Sequence, residues 1–444
     1  MNSLFDKILY YIKKLVPASI FKLIAPIYHY LWALVGAFVY RFPSNQLFVI
    51  GITGTKGKTT TVEVVNAILE GAGYKTAVAS TFRFKIGDDS RRNLLKMTMP
   101  GRMMLQKFMR EAVDKGCTHL VLEMSSEGVL QYRHKFISLN AFIFTNLSPE
   151  HIEAHGSYEN YRDAKLKLAK ALERSRKKKR YMVANIDDEE AEKFLAVKVN
   201  HKATFGFNDI NELVTKGGKS TFRWRGIPIT SHLPGDFNVY NVLAGMTLAE
   251  SIGIDKKVIQ QTIKNLKGVR GRMERVIGED ANGNEFEDFE VIVDYAHTAD
   301  SLLKVYESLN PKKKICILGG TGGGRDRWKR SLMGAIAGTY CKEIILTNED
   351  PYDEDPYQII NDVKLGVDKK IKTIQQEGGK IPALKIILDR KEAIETGIAD
   401  AKKNEVIIIT GKGTDPYIMG PKGEKTPWDD ATVAKTALQD FLAK

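Results

Sequence analysis

From Leu47 onward, short apolar runs alternate with longer stretches whose apolar positions recur every three or four residues. The short runs predict strands buried on both faces, the longer stretches predict amphipathic helices, and their alternation predicts a mostly parallel α/β sheet. Strands are expected at His119–Glu123, Ala141–Thr145 and Arg180–Ala184, with a long helix around Tyr158–Ser175 between the last two. Val62, Val65, Ile68 and Leu69 share one face of an earlier helix. The pattern breaks in a glycine-basic hinge at Gly268–Arg272, after which a second α/β unit begins. Its strands fall near Val291–Asp294, Lys314–Leu318, Glu343–Thr347 and Glu405–Thr410. There is no internal repeat and no long low-complexity linker.

The first 45 residues follow another pattern. Leu23 to Tyr40 carries no formal charge, and Lys7, Lys13, Lys14 and Lys22 precede it. The stretch is borderline in length for a membrane span and includes Pro26 and His29. A single span leaving the rest of the chain in the cytosol would put the lysines outside, against the positive-inside tendency. Two readings stay open: an interfacial helical hairpin, with Tyr28, Tyr30 and Trp32 at the lipid boundary, or a helix pair docked on the next domain.

Composition narrows the picture. A chain of 444 residues exceeds one ordinary core and predicts about three domains. Its 43% hydrophobic and 27% charged residues are those of a globular protein. The net charge of +13 suits an anionic partner, but part of it sits in the solvated run Arg174–Arg180. No basic-aromatic interleaving argues for nucleic acid. Cys117, Cys316 and Cys341 have no metal-ligand spacing and suggest no disulfide pairing, as in a reducing cytoplasm.

The chemistry concentrates at predicted strand ends. Phe48–Ile52 runs into Gly54-Thr55-Lys56-Gly57-Lys58-Thr59-Thr60, a strand, a glycine turn and a helix start. Such a turn wraps backbone N–H groups around phosphate, Lys58 reaches the β/γ-phosphates and the Thr59 hydroxyl holds Mg²⁺. Gly51 lies one residue too early for the strict phosphate-loop spacing. Glu123 ends its strand, where open α/β sheets bind ligands, and is either a Mg²⁺ ligand or a carboxylate capping the next turn. His151 shares a strand-end loop with carboxylates, which favours a ligand over a structural histidine. In the second unit, Asp294-Tyr295-Ala296-His297 ends a strand, and Arg325 directly follows the glycine-rich turn Gly319–Gly324. Arg325 is either an anion clamp or a member of a surface ion pair. Two anion-binding units joined by a hinge suggest an active site closed between domains.

With these motifs in place, the chain resembles the Mur ligase family, and within it the branch that builds muramoyl tripeptides. The resemblance rests on Gly54–Thr60, Glu123-Met124-Ser125-Ser126, Phe144–Gly156, Gly271-Arg272-Met273-Glu274, Asp294–Thr298, Arg325-Asp326, Lys329-Arg330 and Gly411-Lys412-Gly413. They run in family order from about residue 47 to the C-terminus. The resemblance implies three parts: a helical segment over 1–45, a P-loop domain over 46–270 and a Rossmann-like ligase domain over 271–444. It implies an ATP-dependent amide ligase that joins an amino acid to a muramoyl-peptide precursor of peptidoglycan through an acyl phosphate. Two Mg²⁺ ions are implied, one held by Thr59 and Glu123 and one by Glu123 and His151. Lys165 matches the family lysine that is carbamylated; on residues alone it is a solvated helix lysine. Asn238, Asn241, Arg272 and Asp294 would contact adenine and ribose, and Thr98, Ser125, Gln131 and Arg133 the muramoyl peptide. Arg325 would clamp the amino acid's carboxylate or the transferring phosphate.

Two departures follow. The family's N-terminal uridine-gripping domain is missing, and residues 1–45 stand in its place. Either the uridine nucleotide is held differently or the acceptor is lipid-linked and this segment brings the enzyme to the inner face of the membrane. The family's Asp-Asn-Pro-Arg motif, whose arginine binds the distal carboxylate of meso-diaminopimelate, reads Glu349-Asp350-Pro351-Tyr352 here. Tyr352 makes no charged bidentate contact, whereas Glu349 and Asp350 favour a distal ammonium, as in lysine or ornithine. Near Gly411, Asp415 stands where the family has glutamate. Alternatives are a Mur-type ligase for a lipid-linked or other carboxylate, a folylpolyglutamate synthetase, and a membrane-bound nucleotide-binding scaffold without catalysis. The Ser125-Ser126 and Asp294–Thr298 stretches argue against folate, and the Lys58, Glu123, His151 and Lys165 set against the scaffold.

Overall fold

The computed structural model describes residues 18–150, 155–216, 218–279, 283–324 and 327–443, with side chains from Ile24 onward. They form two compact units: the chain up to Asn208 with Leu243–Ile259, and Asp209–Val242 with Gln260–Lys444.

In the first unit the described chain starts with helix α1 (Ala18–Val39). Its main body is an eight-stranded sheet built from β1 (Phe48–Thr53), β2 (Thr76–Ala79), β3 (Arg83–Ile86), β4 (Asp89–Arg92), β5 (His119–Glu123), β6 (Ala141–Phe144), β7 (Tyr181–Asn185) and β8 (His201–Phe205). The spatial order is β4-β3-β2-β5-β1-β6-β7-β8, parallel except for the β2–β3–β4 edge. The edge strand β4 carries Asp89, Arg91 and Arg92, which keep it from pairing with another chain. Ile52 sits opposite both Glu123 and Ile143, so β1, β5 and β6 end level at one carboxyl edge. Helix α2 (Lys58–Gly71) follows β1, and Val62, Val65, Ile68 and Leu69 are buried as their spacing predicts. Helix α3 (Arg102–Asp114) precedes β5, the five-residue α4 (Ser126–Leu130) follows it, and α5 (Tyr158–Glu173) precedes β7.

Of the N-terminal segment, expected as a docked or an interfacial helical pair, residues 1–17 lie outside the described residues and the described part forms helix α1. It packs on α3 through Ala33, Gly36 and Ala37; a Cβ on Gly36 would fall 2.9 Å from Met103 Sδ. Among the described residues no helix is long and apolar enough to cross a membrane.

The second unit holds a three-stranded antiparallel sheet, β9 (Ile210–Lys216), β10 (Lys219–Trp224) and β11 (Ile227–Ser231), whose half-exposed alternation hid it in the sequence. Helix α6 (Asp236–Ser251) follows. A six-stranded sheet combines β12 (Glu274–Val276), β13 (Glu290–Asp294), β14 (Lys313–Leu318), β15 (Glu343–Leu346), β16 (Ala383–Ile386) and β17 (Glu405–Thr410). Its order is β12-β13-β17-β14-β15-β16, parallel except for β12. Helices α7 (Ala299–Ser308), α8 (Trp328–Tyr340), α9 (Pro356–Gln376), α10 (Arg390–Ala399) and α11 (Asp430–Leu442) cover it. The runs Val-Ile-Val of β13 and Val-Ile-Ile-Ile of β17 are buried on both faces, which is why they were legible.

One expectation fails in this unit. Cys316 on β14 and Cys341 at the end of α8 form a buried disulfide, with Cα atoms 6.0 Å apart. They are 25 residues apart in sequence, and the β14–α8–β15 crossover returns the chain beside its starting strand. Spacing alone carried no sign of that. Cys117 is free and buried.

Candidate active site

In the first unit, β1 turns at Gly54, and Gly57 at φ 80° opens α2. A Cβ on Gly54 would lie 1.9 Å from Thr145 Oγ1, so only glycine lets the turn pass this close to the end of β6. That neighbour pins the loop. Thr55 N–H donates to the Asn146 carbonyl (2.8 Å), Lys56 N–H to Asn146 Oδ1 (2.9 Å), and Thr145 Oγ1 to the Lys56 carbonyl (2.8 Å). Lys58 Nζ folds back on the Gly54 and Thr55 carbonyls at 3.0 and 2.9 Å. Thr60 is buried in the first turn of α2.

Glu123 is 1% exposed, and its carboxylate lies beside this loop. It accepts from Thr59 Oγ1 at 3.2 and 3.1 Å and from the Thr81 N–H at 2.8 Å, with Thr81 Oγ1 3.0 Å away. Thr98 Oγ1 is 2.9 Å from that same Thr81 hydroxyl, which ties Thr98 to the cluster. Thr81 escaped the sequence reading because its place depends on β2 pairing beside β5. A carboxylate surrounded by hydroxyls is a hard oxygen donor set, which fits Mg²⁺.

Lys165 on α5 is 2% exposed and donates from Nζ to the Gly54 carbonyl at 2.7 Å. Its ammonium lies 4.7 Å from the centre of the Tyr161 ring, and Tyr161 OH is 3.1 Å from Thr55 Oγ1. Burial, reinforced by the charge of Lys58, pushes the Lys165 amine well below the usual lysine range. Tyr161, another residue the sequence did not flag, joins this helix to the phosphate loop. His151 and Glu153 lie outside the described residues. Among the described residues, no three His, Cys, Asp or Glu side chains gather as a metal cage.

The expected acceptor-binding residues form a neighbouring group. Ser125 caps α4, accepting the Gly128 N–H at 3.3 Å. Arg133 Nη2 donates to Gln131 Oε1 at 2.7 Å, and its Nη1 to the carbonyl of Met99, the residue after Thr98. Burial, with Arg102 adding to it, pushes the Arg133 guanidinium below its usual range.

In the second unit, Asp294 accepts the Met273 and Ala296 N–H groups, both at 2.7 Å. Burial raises its pKa, opposed first by Arg272, whose guanidinium lies 4.5 Å from the Tyr295 ring centre. Asn241 Nδ2 donates to Asn238 Oδ1 at 2.9 Å on the first turns of α6. Arg325 lies outside the described residues. The glycine turn before it is held by Gly322 N–H to the Asp350 carbonyl (2.7 Å) and Gly324 N–H to Glu354 (2.6 Å).

The altered selectivity motif splits into unequal parts. Asp350 Oδ1 accepts both Lys412 Nζ and the Met419 N–H at 2.8 Å, and Lys412 also pairs with Asp415 at 2.9 Å. Glu349, 3% exposed, accepts Thr321 Oγ1 on Oε1 at 2.8 Å, while its buried Oε2 has no hydrogen-bond partner. Burial raises its pKa. Gly411 at φ 107° packs against that oxygen; a Cβ there would lie 2.4 Å from it. Tyr352 sits at φ 52°, with its ring over Gly323.

Residues 52–249 match the Mur ligase middle domain and residues 271–413 the Mur ligase glutamate ligase domain. The chain belongs to the Mur ligase family. It is similar to the UDP-N-acetylmuramoyl-L-alanyl-D-glutamate–2,6-diaminopimelate ligase of Syntrophomonas wolfei, 35% identical over 92% of this chain and 81% of the relative. The enzyme of the same name from Bacillus cereus is 35% identical, over 92% and 82%. Among solved structures, a ligase of that name superposes with TM-score 0.59 at 28% identity, over 89% of this Mur ligase and 79% of that chain. Mycobacterium tuberculosis folylpolyglutamate synthase shares the fold, with TM-score 0.66 at 14% identity over 93% and 95%. The expected α/β fold, with its mostly parallel sheet and second Rossmann-like sheet, is thereby borne out, and so is an ATP-dependent ligase.

Proposed function

We propose that this Mur ligase joins a diamino acid to the peptide carboxylate of a muramoyl-peptide precursor of peptidoglycan. The observation that carries this reading is the carboxyl edge of the first sheet, where the phosphate loop, Glu123 and buried Lys165 meet. The acceptor carboxylate attacks the γ-phosphorus of ATP, and ADP leaves. The amine then attacks the acyl carbon, inorganic phosphate leaves and the amine gives up its proton. Lys58 holds the phosphates, and Thr59 with Glu123 would hold Mg²⁺, which neutralises phosphoryl charge when bound. Lys165 is suited to carbamylation, because a buried neutral amine is the form that adds CO₂; with Glu123 and His151 the resulting anion would hold a second Mg²⁺. Thr98, Ser125, Gln131 and Arg133 would take the muramoyl peptide. Asn238, Asn241, Arg272 and Asp294 would take adenosine, and Arg325 the amino acid's carboxylate.

For the amino acid, Glu349 Oε2 supplies an unpaired buried acceptor beside Gly411, which suits an ammonium. Tyr352 supplies no charged, bidentate partner for a distal carboxylate. We therefore favour lysine or ornithine over the diaminopimelate named for the relatives. A second reading keeps this chemistry with a lipid-linked acceptor at the inner membrane face, and the exposed apolar side of α1 favours it. Phosphate release, measured with UDP-linked and lipid-linked muramoyl dipeptides against lysine, ornithine and meso-diaminopimelate, tests both readings. Release should require an acceptor and a diamino acid together; release indifferent to either sinks the proposal.

A further inference from the structure

Helix α1 turns its small residues inward and its large ones outward. Ala33, Gly36 and Ala37 face α3, while Ile24, Ile27, Tyr30, Leu31, Leu34, Val35, Phe38 and Val39 are exposed, Phe38 at 72% and Ile27 at 63%. A soluble surface rarely leaves so many large apolar side chains contiguous, so the face has an occupant. At about 100° per residue these positions cover about half of the helix circumference, much wider than the narrow seam of a coiled-coil partner. The edges of the face are aromatic and basic. Arg102 lies 5.9 Å from the Tyr28 ring centre and Arg41 is exposed just past the helix, while Arg110, already paired with Asp114, donates from Nε to the Tyr40 carbonyl at 3.2 Å. Up to Leu47 the chain carries Lys7, Lys13, Lys14, Lys22 and Arg41 against a single acidic residue, Asp6.

We propose that this outer face of α1 lies flat on an anionic phospholipid surface, with its aliphatic side chains among the acyl chains and the flanking cations at the headgroups. A helix can bind in this way without crossing the bilayer, by combining apolar burial with electrostatic attraction. The proposal names the lipid for the membrane reading above and stands independently of which reaction the ligase site performs. It would hold the active site near lipid-linked carboxylates without embedding the protein.

The test is co-sedimentation of the full-length chain with vesicles of phosphatidylcholine alone or mixed with phosphatidylglycerol. A Leu31→Glu/Phe38→Glu variant, changed only at exposed positions, is compared by the same assay and by thermal unfolding. The native chain should bind the mixed vesicles, release in high salt and bind phosphatidylcholine alone weakly. The variant should unfold at the native temperature and lose about 100-fold in partition coefficient, on the order of 2.8 kcal/mol. Equal binding of variant and native chain overturns the proposal. So does a native chain that binds neither vesicle, or a native dimer that the variant dissolves, since that dimer would assign the face to a second copy. Phosphate release with a water-soluble acceptor, run in parallel, reports the ligase reading separately.

Discussion

Arg390, at the start of α10, ties that helix to α11 and to the carboxyl ends of two strands of the ligase-domain sheet. Both it and Asp430 are fully buried. Its Nε and Nη2 grip the two carboxylate oxygens at 2.8 Å, Nη2 also reaches the Thr410 carbonyl at 2.8 Å, and Nη1 the Asn348 carbonyl at 3.3 Å. Trp428 Nε1 adds a 2.7 Å bond to Asp430. Arg390→Met keeps most of the stem but strands the Asp430 charge in the interior, at a cost of about 3–5 kcal/mol. That is a large share of the roughly 5–15 kcal/mol that holds a domain folded. Hydrogen exchange of the β17 amides reads this unit by itself. A loss of about 4 kcal/mol speeds exchange roughly 1,000-fold. Adding Asp430→Leu should recover most of the loss, because the stranded Asp430 charge goes with it. Asn348 and Thr410 immediately precede Glu349 and Gly411, so the amino-acid KM should rise in the single variant more than kcat falls. Exchange accelerated less than about tenfold, or a double variant no better than the single, would refute the reasoning.

Four further outcomes are expected. Lys165→Met should abolish ligation yet stabilise the protein in CO₂-free buffer. The native amine's pKa is lowered from 10.5, so its cost is full on the acid side and fades as pH rises toward 10.5, and calorimetry should show the variant's gain fading likewise. A gain constant with pH contradicts this. Burial pushes His134 from 6.5 to about 4, so its contribution is intact above pH 6.5 and is lost as pH falls toward 4. That loss is about 3 kcal/mol, and His134→Leu should flatten the acid limb of an unfolding titration. Thr81→Val should raise the Mg²⁺ concentration for half-maximal activity about tenfold, with Thr81→Ser restoring it; equal Mg²⁺ curves would remove Thr81 from the site. Tyr352→Arg should shift the kcat/KM ratio of meso-diaminopimelate over lysine upward by about 10- to 100-fold, and an unchanged ratio would remove this position from selectivity.

The central strands were legible because they are buried on both faces, which forces unbroken apolar runs such as Glu405–Thr410. The edges were not. Asp89–Arg92 is charged because it faces water, and Ile210–Ser231 alternates because only one side of its sheet is covered, so neither reads as a buried strand. The site divides in the same way. Lys58, Thr59 and Glu123 stand at the ends of legible strands, where sheet topology collects ligand groups. Lys165 bonds to Gly54 across 111 residues, and Arg390 to Asp430 across 40, so no local pattern announces either contact.

Glu349 and Asp350 show the limit most sharply. As letters they are two adjacent carboxylates with the same claim on an ammonium. In the fold, Asp350 Oδ1 is already engaged by Lys412 and the Met419 N–H, whereas Glu349 Oε2 is buried with no hydrogen bond. An unsatisfied buried carboxylate oxygen is costly, and a protein keeps one where a ligand completes it. On the function proposed above, Glu349 rather than Asp350 is the carboxylate that would meet the substrate's ammonium. Glu349→Gln should raise the KM for the diamino acid, and Asp350→Asn should act chiefly on stability by releasing Lys412. Measured together by steady-state kinetics and unfolding, the reverse assignment of the two effects would show that Asp350 is the residue that meets the substrate.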